Sequence, residues 1–138
     1  MSRAPALAAL SLAALVLAGA AAPDDGYELV RGPAPAGMRR GDKATVSLSL
    51  VPRAGHHLLQ SGPVLVRLRG DGVRPVRALY RRDDAVDPRA DVPRFELGFV
   101  AEREGRARLA GDCTFYVCKA DRCRPVETHV DWTVDVAP

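Results

Sequence analysis

The residues of this chain with the most chemistry in them are its three cysteines. Cys118 and Cys123 bracket Lys119, Ala120, Asp121 and Arg122 in the run FYVCKADRCRP, and Cys113 stands upstream. A thiolate is the species that attacks a disulfide, and positive charge beside a thiol favours that anion. Lys119, Arg122 and Arg124 lie next to the two cysteines in sequence and would give this electrostatic support. The pair therefore has the make-up of a redox couple that exchanges with a partner's disulfide. The same residues also suit a structural clasp across a hairpin, as in many exported domains, with the charges a solvated loop tip. A C-x4-C spacing is not the C-x-x-C of thioredoxins and brings no helix amino terminus to activate a thiol.

Two segments must position this pair. Upstream, Ala107, Leu109, Cys113, Phe115 and Val117 share one parity; downstream, Val126, Val130, Trp132, Val134 and Val136 alternate with Glu127, His129, Asp131 and Asp135. Apolar residues at every second position mark strands with one buried face. Folding the strands about a four-residue loop sets 118 opposite 123, 115 opposite 126, 113 opposite 128, 109 opposite 132 and 107 opposite 134. Each pair but 118 and 123 then falls on the apolar face, and a slip of one residue would expose one strand's whole apolar set. The register predicts a Cys118–Cys123 bond on the outer, polar face, open to a partner. Cys113 falls on the apolar parity and is predicted to be buried and free.

Other reactive residues form no such arrangement. His56 and His57 are adjacent and on a strand face opposite ways; with Met38 and His129 they have no metal-site spacing. Asp83, Asp84, Asp87 and Asp91 lack the EF-hand spacing and its terminal Glu. There is no P-loop, GxGxxG or Ser/His/Asp set, so neither metal nor cofactor is expected.

The rest of the chain reads as short strands. Residues 27–31, 45–51, 56–60, 64–69, 73–80 and 95–99 carry strand patterns, separated by Pro- and Gly-rich turns. Asp71-Gly72 signals a tight turn between 64–69 and a partner strand over 73–80, where Pro75 suggests an edge. With no helical period, this predicts an all-β, immunoglobulin-like β-sandwich with Trp132 as its main core aromatic. Residues 81–93 are the longest irregular piece. Among 138 residues, Lys+Arg number 20 and Asp+Glu 17, and the basic residues are scattered among acids, which argues against nucleic acid as a partner. Arg3, the apolar run 7–17 and Ala18-Gly19-Ala20 read as a signal peptide over 1–20, cleaved on export. No later segment is apolar enough to insert stably in a membrane, so a periplasmic or otherwise extracytoplasmic location is expected. Residues 21–43 read as a flexible start with a first strand, and 44–138 as the sandwich domain.

The run FYVCKADRCRPVETHVDWTV resembles the disulfide hairpin of the family of amino-terminal periplasmic domains of DsbD, the thiol:disulfide interchange protein. The features are Tyr116, Cys118, a short polar loop, Cys123, Pro125 and an alternating strand from Val126. LYRRDD and RFELGFVAEREGRARL resemble the elements before that hairpin, so the likeness extends over 44–136. It implies an immunoglobulin-like sandwich and a thiol-disulfide oxidoreductase activity. Electrons would come from a membrane electron-carrier or thioredoxin-like partner and pass to disulfides of envelope proteins. It also implies roles: Cys123 forms the mixed disulfide and Cys118 resolves it. The alternative kept beside this is a non-enzymatic exported binding module whose disulfide is purely structural.

Overall fold

The computed structural model describes residues 25–138, and the leader expected over 1–20 lies outside them. The strands are β1 (Tyr27–Arg31), β2 (Met38–Arg39), β3 (Lys43–Pro52), β4 (His56–Leu58), β5 (Leu65–Asp71), β6 (Val73–Pro75), β7 (Leu79–Arg81), β8 (Arg94–Ala101), β9 (Gly105–Lys119) and β10 (Arg122–Ala137). The only helical piece among the described residues is a 3-10 turn, Arg82–Asp84.

These strands form two sheets, ordered β1-β3-β8-β6 and β2-β10-β9-β5-β7, with β4 also pairing to β9. All pairings are antiparallel except β2 with β10. This is the immunoglobulin arrangement, A-B-E-D facing G-F-C, with β7 in the place of C′. The fold is thus the all-β, immunoglobulin-like sandwich that the alternation predicts. No described disulfide joins the two sheets. Their inner faces meet on apolar side chains instead. Phe95 and Phe99 of β8, Phe115 of β9, and Leu48 and Leu50 of β3 have no exposed surface. Burying each such side chain is worth about 1.5–3 kcal/mol, and this burial holds the sheets together.

Two expectations change. The segment 73–80 is not one strand beside β5. Its first part, β6, crosses to the other sheet and pairs with β8, and only β7 returns to pair with β5. The glycines explain the crossing. At Gly70 a side chain would collide with the Val73 carbonyl, and Gly72 has φ +77°, so the chain turns sharply enough to leave its sheet. Pro75 lies on the edge strand of its sheet, as a residue without an N–H should. Trp132, in turn, is buried but off-centre. Its indole Nε1 donates to the Gly32 carbonyl at 3.0 Å, while the three phenylalanines fill the middle.

The segments ahead of residue 44 form parts of both sheets. β1 pairs with β3 from Tyr27↔Pro52 to Arg31↔Leu48, and Met38, buried to 4 % exposure, sits where β2 meets the end of β10. Beyond that contact, no described strand pairs with the outer edge of β10 between Arg122 and Asp135. The Asp131 carbonyl points out of this edge, where Arg31 donates to it at 2.6 Å. By the two-residue period, the backbone groups of residues 123, 125, 127 and 129 point out as well.

Candidate functional site

The cysteine hairpin is built from the two longest strands. Their pairing runs without a break from Arg122↔Lys119 to Val136↔Gly105 and includes each pair the alternation predicts: 123 with 118, 126 with 115, 128 with 113, 132 with 109 and 134 with 107. The loop is tighter than four residues, because Lys119 and Arg122 also pair and only Ala120 and Asp121 turn. Ala120 takes φ 53°, a conformation that costs a residue with a Cβ about 1–2 kcal/mol. A two-residue hairpin turn demands such an angle, and the long pairing on either side supplies the compensation.

Cys118 and Cys123 form a disulfide with an S–S distance of 2.01 Å and a Cα–Cα separation of 4.0 Å. They occupy a pair whose backbone groups point away from each other, where side chains of opposite residues come closest. The two sulfurs' residues differ in access. Cys123 is exposed, whereas Cys118 is 0 % exposed, contrary to the expectation that both are open. The reason is β4. It pairs with the other edge of β9, setting His57 directly opposite Cys118 on the same face. Cys118 is thereby enclosed between β10 and β4, while Cys123 has no strand on its far side. His57 itself is exposed.

Lys119, Arg122 and Arg124 take the other parity, and with His56, Val117 and Cys123 they line a hollow of about 240 Å³ at the end of the hairpin. Val117 is the last buried residue of that row; beyond it the three basic side chains stand clear of the core. The amino-terminal side of the chain packs against two of these lining residues, Arg124 and His56. Arg124 contacts the Asp25 carbonyl, the His56 ring Nδ1 lies 3.2 Å from the Ala54 carbonyl, and Gly26 leaves the His56 ring the space a side chain would take. Tyr27 sets its ring edge-on to Phe115 with centroids 5.1 Å apart, anchoring this segment to the core. No described carboxylate pairs with Lys119, Arg122 or Arg124.

Cys113 is free and 1 % exposed, on the inner face between Val66 and Thr128. Burial, with a smaller contribution from the negative charge of Asp112, pushes its thiol up to about 12. It is inert at neutral pH and takes no part in the site.

On the outer face the sequence held a cluster that its spacing does not reveal. Asp112 of β9 meets Arg69 of β5 and His129 of β10, and Asp131 holds Arg108 at 2.5 Å. The hydrogen bond from Arg69, and then that from His129, holds the Asp112 carboxyl below its ordinary value. The signal for this cluster was charge alternation on three strands, and it becomes readable only once the order β10-β9-β5 is known.

No family model and no curated protein matches the chain. Among solved structures, it is similar to native alpha-2-macroglobulin from Escherichia coli, in a form spanning domain MG7 to the carboxyl terminus. The identity is 15 %, the TM-score 0.44, and the match covers 80 % of this chain and 16 % of that one. The chain thus spans about a sixth of the length of that neighbour.

Proposed function

We propose that this is an exported thiol-disulfide exchange domain acting on protein disulfides of the cell envelope, as the resemblance of its hairpin to the DsbD amino-terminal domains implies. The observation that carries the reading is the asymmetry of the bond: Cys123 is open beside cations that no described carboxylate meets, and Cys118 is enclosed. In the reduced protein, the Cys123 thiolate attacks one sulfur of a partner disulfide, forming a mixed disulfide and releasing the partner's other sulfur as a thiolate. Cys118, having lost its proton, then attacks Cys123 Sγ, closes the Cys118–Cys123 bond and releases the second partner thiolate. Two electrons have moved to the partner. A thioredoxin-like or membrane electron-carrier protein with a dithiol restores the reduced form by the same steps in reverse. Enclosure makes Cys118 the resolving residue, because only an intramolecular attack reaches it.

A staple explains less. The bond closes a loop of sequence separation 5, which in the chain-entropy model is worth only about 2 kcal/mol. It does so at the end of a hairpin already paired along its whole length and packed on a complete apolar core.

The test is trapping in an envelope extract. Cys118→Ser leaves the accessible Cys123 unable to finish the exchange, so a mixed disulfide with a thioredoxin-like protein should accumulate. Cys123→Ser leaves an enclosed thiol and should trap far less. If neither variant traps a partner, and the wild-type bond has a potential below about −300 mV, as structural disulfides do, the activity is ruled out and the staple reading stands.

A further inference from the structure

The hollow at the hairpin end has a use beyond activating Cys123. We infer that it seats a carboxylate of the exchange partner, so that preferred partners carry an Asp or Glu within a residue or two of their reacting cysteine. The inference rests on the exchange reading for its biological meaning, but the recognition it describes is measurable without exchange.

Three observations converge on an anionic side chain. The first is charge left without an answer. Lys119 and Arg122 are directly opposite across the hairpin and Arg124 is one pair further along the same face. Like charges so placed oppose pairing. On the neighbouring outer face, Arg69, Arg106 and Arg108 each meet an aspartate, whereas no described carboxylate meets these three. Lys119, Arg122 and Arg124 thus stand beside the exposed sulfur with no described carboxylate to neutralise them, and Arg124 meets only the uncharged Asp25 carbonyl.

The second observation is shape. About 240 Å³ admits one acidic side chain with a few waters and is smaller than the usual pocket for a cofactor or drug-sized ligand. Buried Val117 forms part of the lining, and an apolar wall lowers the local dielectric and strengthens attraction between opposite charges. The third is position. Cys123 lines the hollow, so a carboxylate held there places its neighbouring residues at the exposed sulfur. An arriving thiolate is itself an anion, and the same charge would steer it.

The experiment uses the full mature chain and three short capped peptides, each a cysteine flanked on both sides by Asp, by Ser or by Lys, together with the same peptides carrying Ser in place of Cys. Reduction of the Cys118–Cys123 bond is followed at low salt, with rates expressed per thiolate because flanking charge also shifts each peptide's own ionisation. The Asp peptide should react about tenfold or more faster than the Lys peptide, the lower end of what electrostatic steering gives. That ratio should fall towards one at about 0.5 M salt, where screening acts within a few ångströms. It should fall likewise in the Lys119→Gln/Arg122→Gln/Arg124→Gln variant. Equal rates for the three peptides would overturn the inference. The cysteine-free peptides separate the two readings by amide shift changes. If no peptide reduces the bond but the Asp peptide alone perturbs Lys119, Arg122 and Arg124, recognition stands and exchange fails. Binding of all three peptides alike, or of none, sinks the hollow as a carboxylate site.

Discussion

Cys113 should make this protein lose stability in alkali, and replacing it by alanine should remove that contribution. Cys113 sits on the inner face of β9 with 1 % exposure. Its thiol titrates at about 12 in the folded chain against an ordinary 9.0. A group whose folded value is raised contributes stability that is fully present below the unfolded value and is lost as pH climbs towards the folded one. The window is therefore pH 9 to 12. At pH 8 the unfolded thiol is still almost wholly protonated and the effect is negligible. At pH 10.5 the unfolded state has gained by ionising while the folded state has not, and linkage over that span amounts to roughly 2 kcal/mol. Wild type and Cys113→Ala should thus differ in pH response by about 2 kcal/mol between pH 8 and 10.5, whatever the substitution costs at neutral pH. Every other ionisation is common to both proteins and cancels in the difference. Folding and unfolding rates in urea, taken by stopped flow, give the two stabilities before an unfolded Cys113 thiolate has time to attack the Cys118–Cys123 bond. Identical pH responses would mean that Cys113 ionises freely in the native state. The inward parity of β9 would then be wrong, and with it the register that sets Cys118 against Cys123.

The core and the outer face of β10 offer two further checks. Trp132→Ala should cost about 3 kcal/mol, at the low end for a large aromatic because Trp132 is off-centre, whereas Glu127→Ala on the outer face should change stability by less than about 0.5 kcal/mol, both read from urea midpoints. Asp112, held below its ordinary value chiefly by Arg69, contributes stability that is present above pH 3.8 and lost as pH falls through its depressed folded value. Asp112→Asn should therefore lose less stability than wild type between pH 5 and pH 2, and an unchanged acid response would show that the Arg69 and His129 contacts do not form in solution.

The hairpin could be read from sequence because two local signals agreed. Alternation fixed which residues of β9 and β10 face inward, and a short loop left one register that buried both sets, so Leu109 against Trp132 and Cys118 against Cys123 followed. Alternation is silent about which sheet a strand joins, which is why β6 was expected beside β5. The turn signal at Asp71-Gly72 was legible, but the approach of Val73's carbonyl to Gly70, which turns the chain out of its sheet, is not something alternation encodes. The enclosure of Cys118 was hidden for a similar reason. Its parity is polar, and only the arrival of β4, distant in sequence, covers it. The basic residues were visible, but their lack of acidic neighbours was not, because a sequence rich in Asp and Glu suggests partners for every Arg.

The outward edge of β10 has a consequence for how these molecules meet one another. A sheet edge with free backbone groups is a template on which another chain can zip up, rung by rung, into dimers and then fibres. Here the row begins beside Cys123, and its next outward position is Pro125, which has no N–H to offer. Further along, the Asp131 carbonyl is already taken by Arg31. The row of outward donors and acceptors is therefore interrupted at Pro125 and at Asp131. The proline two residues beyond Cys123 thus works against an added strand just where the exposed cysteine lies, as edge prolines do.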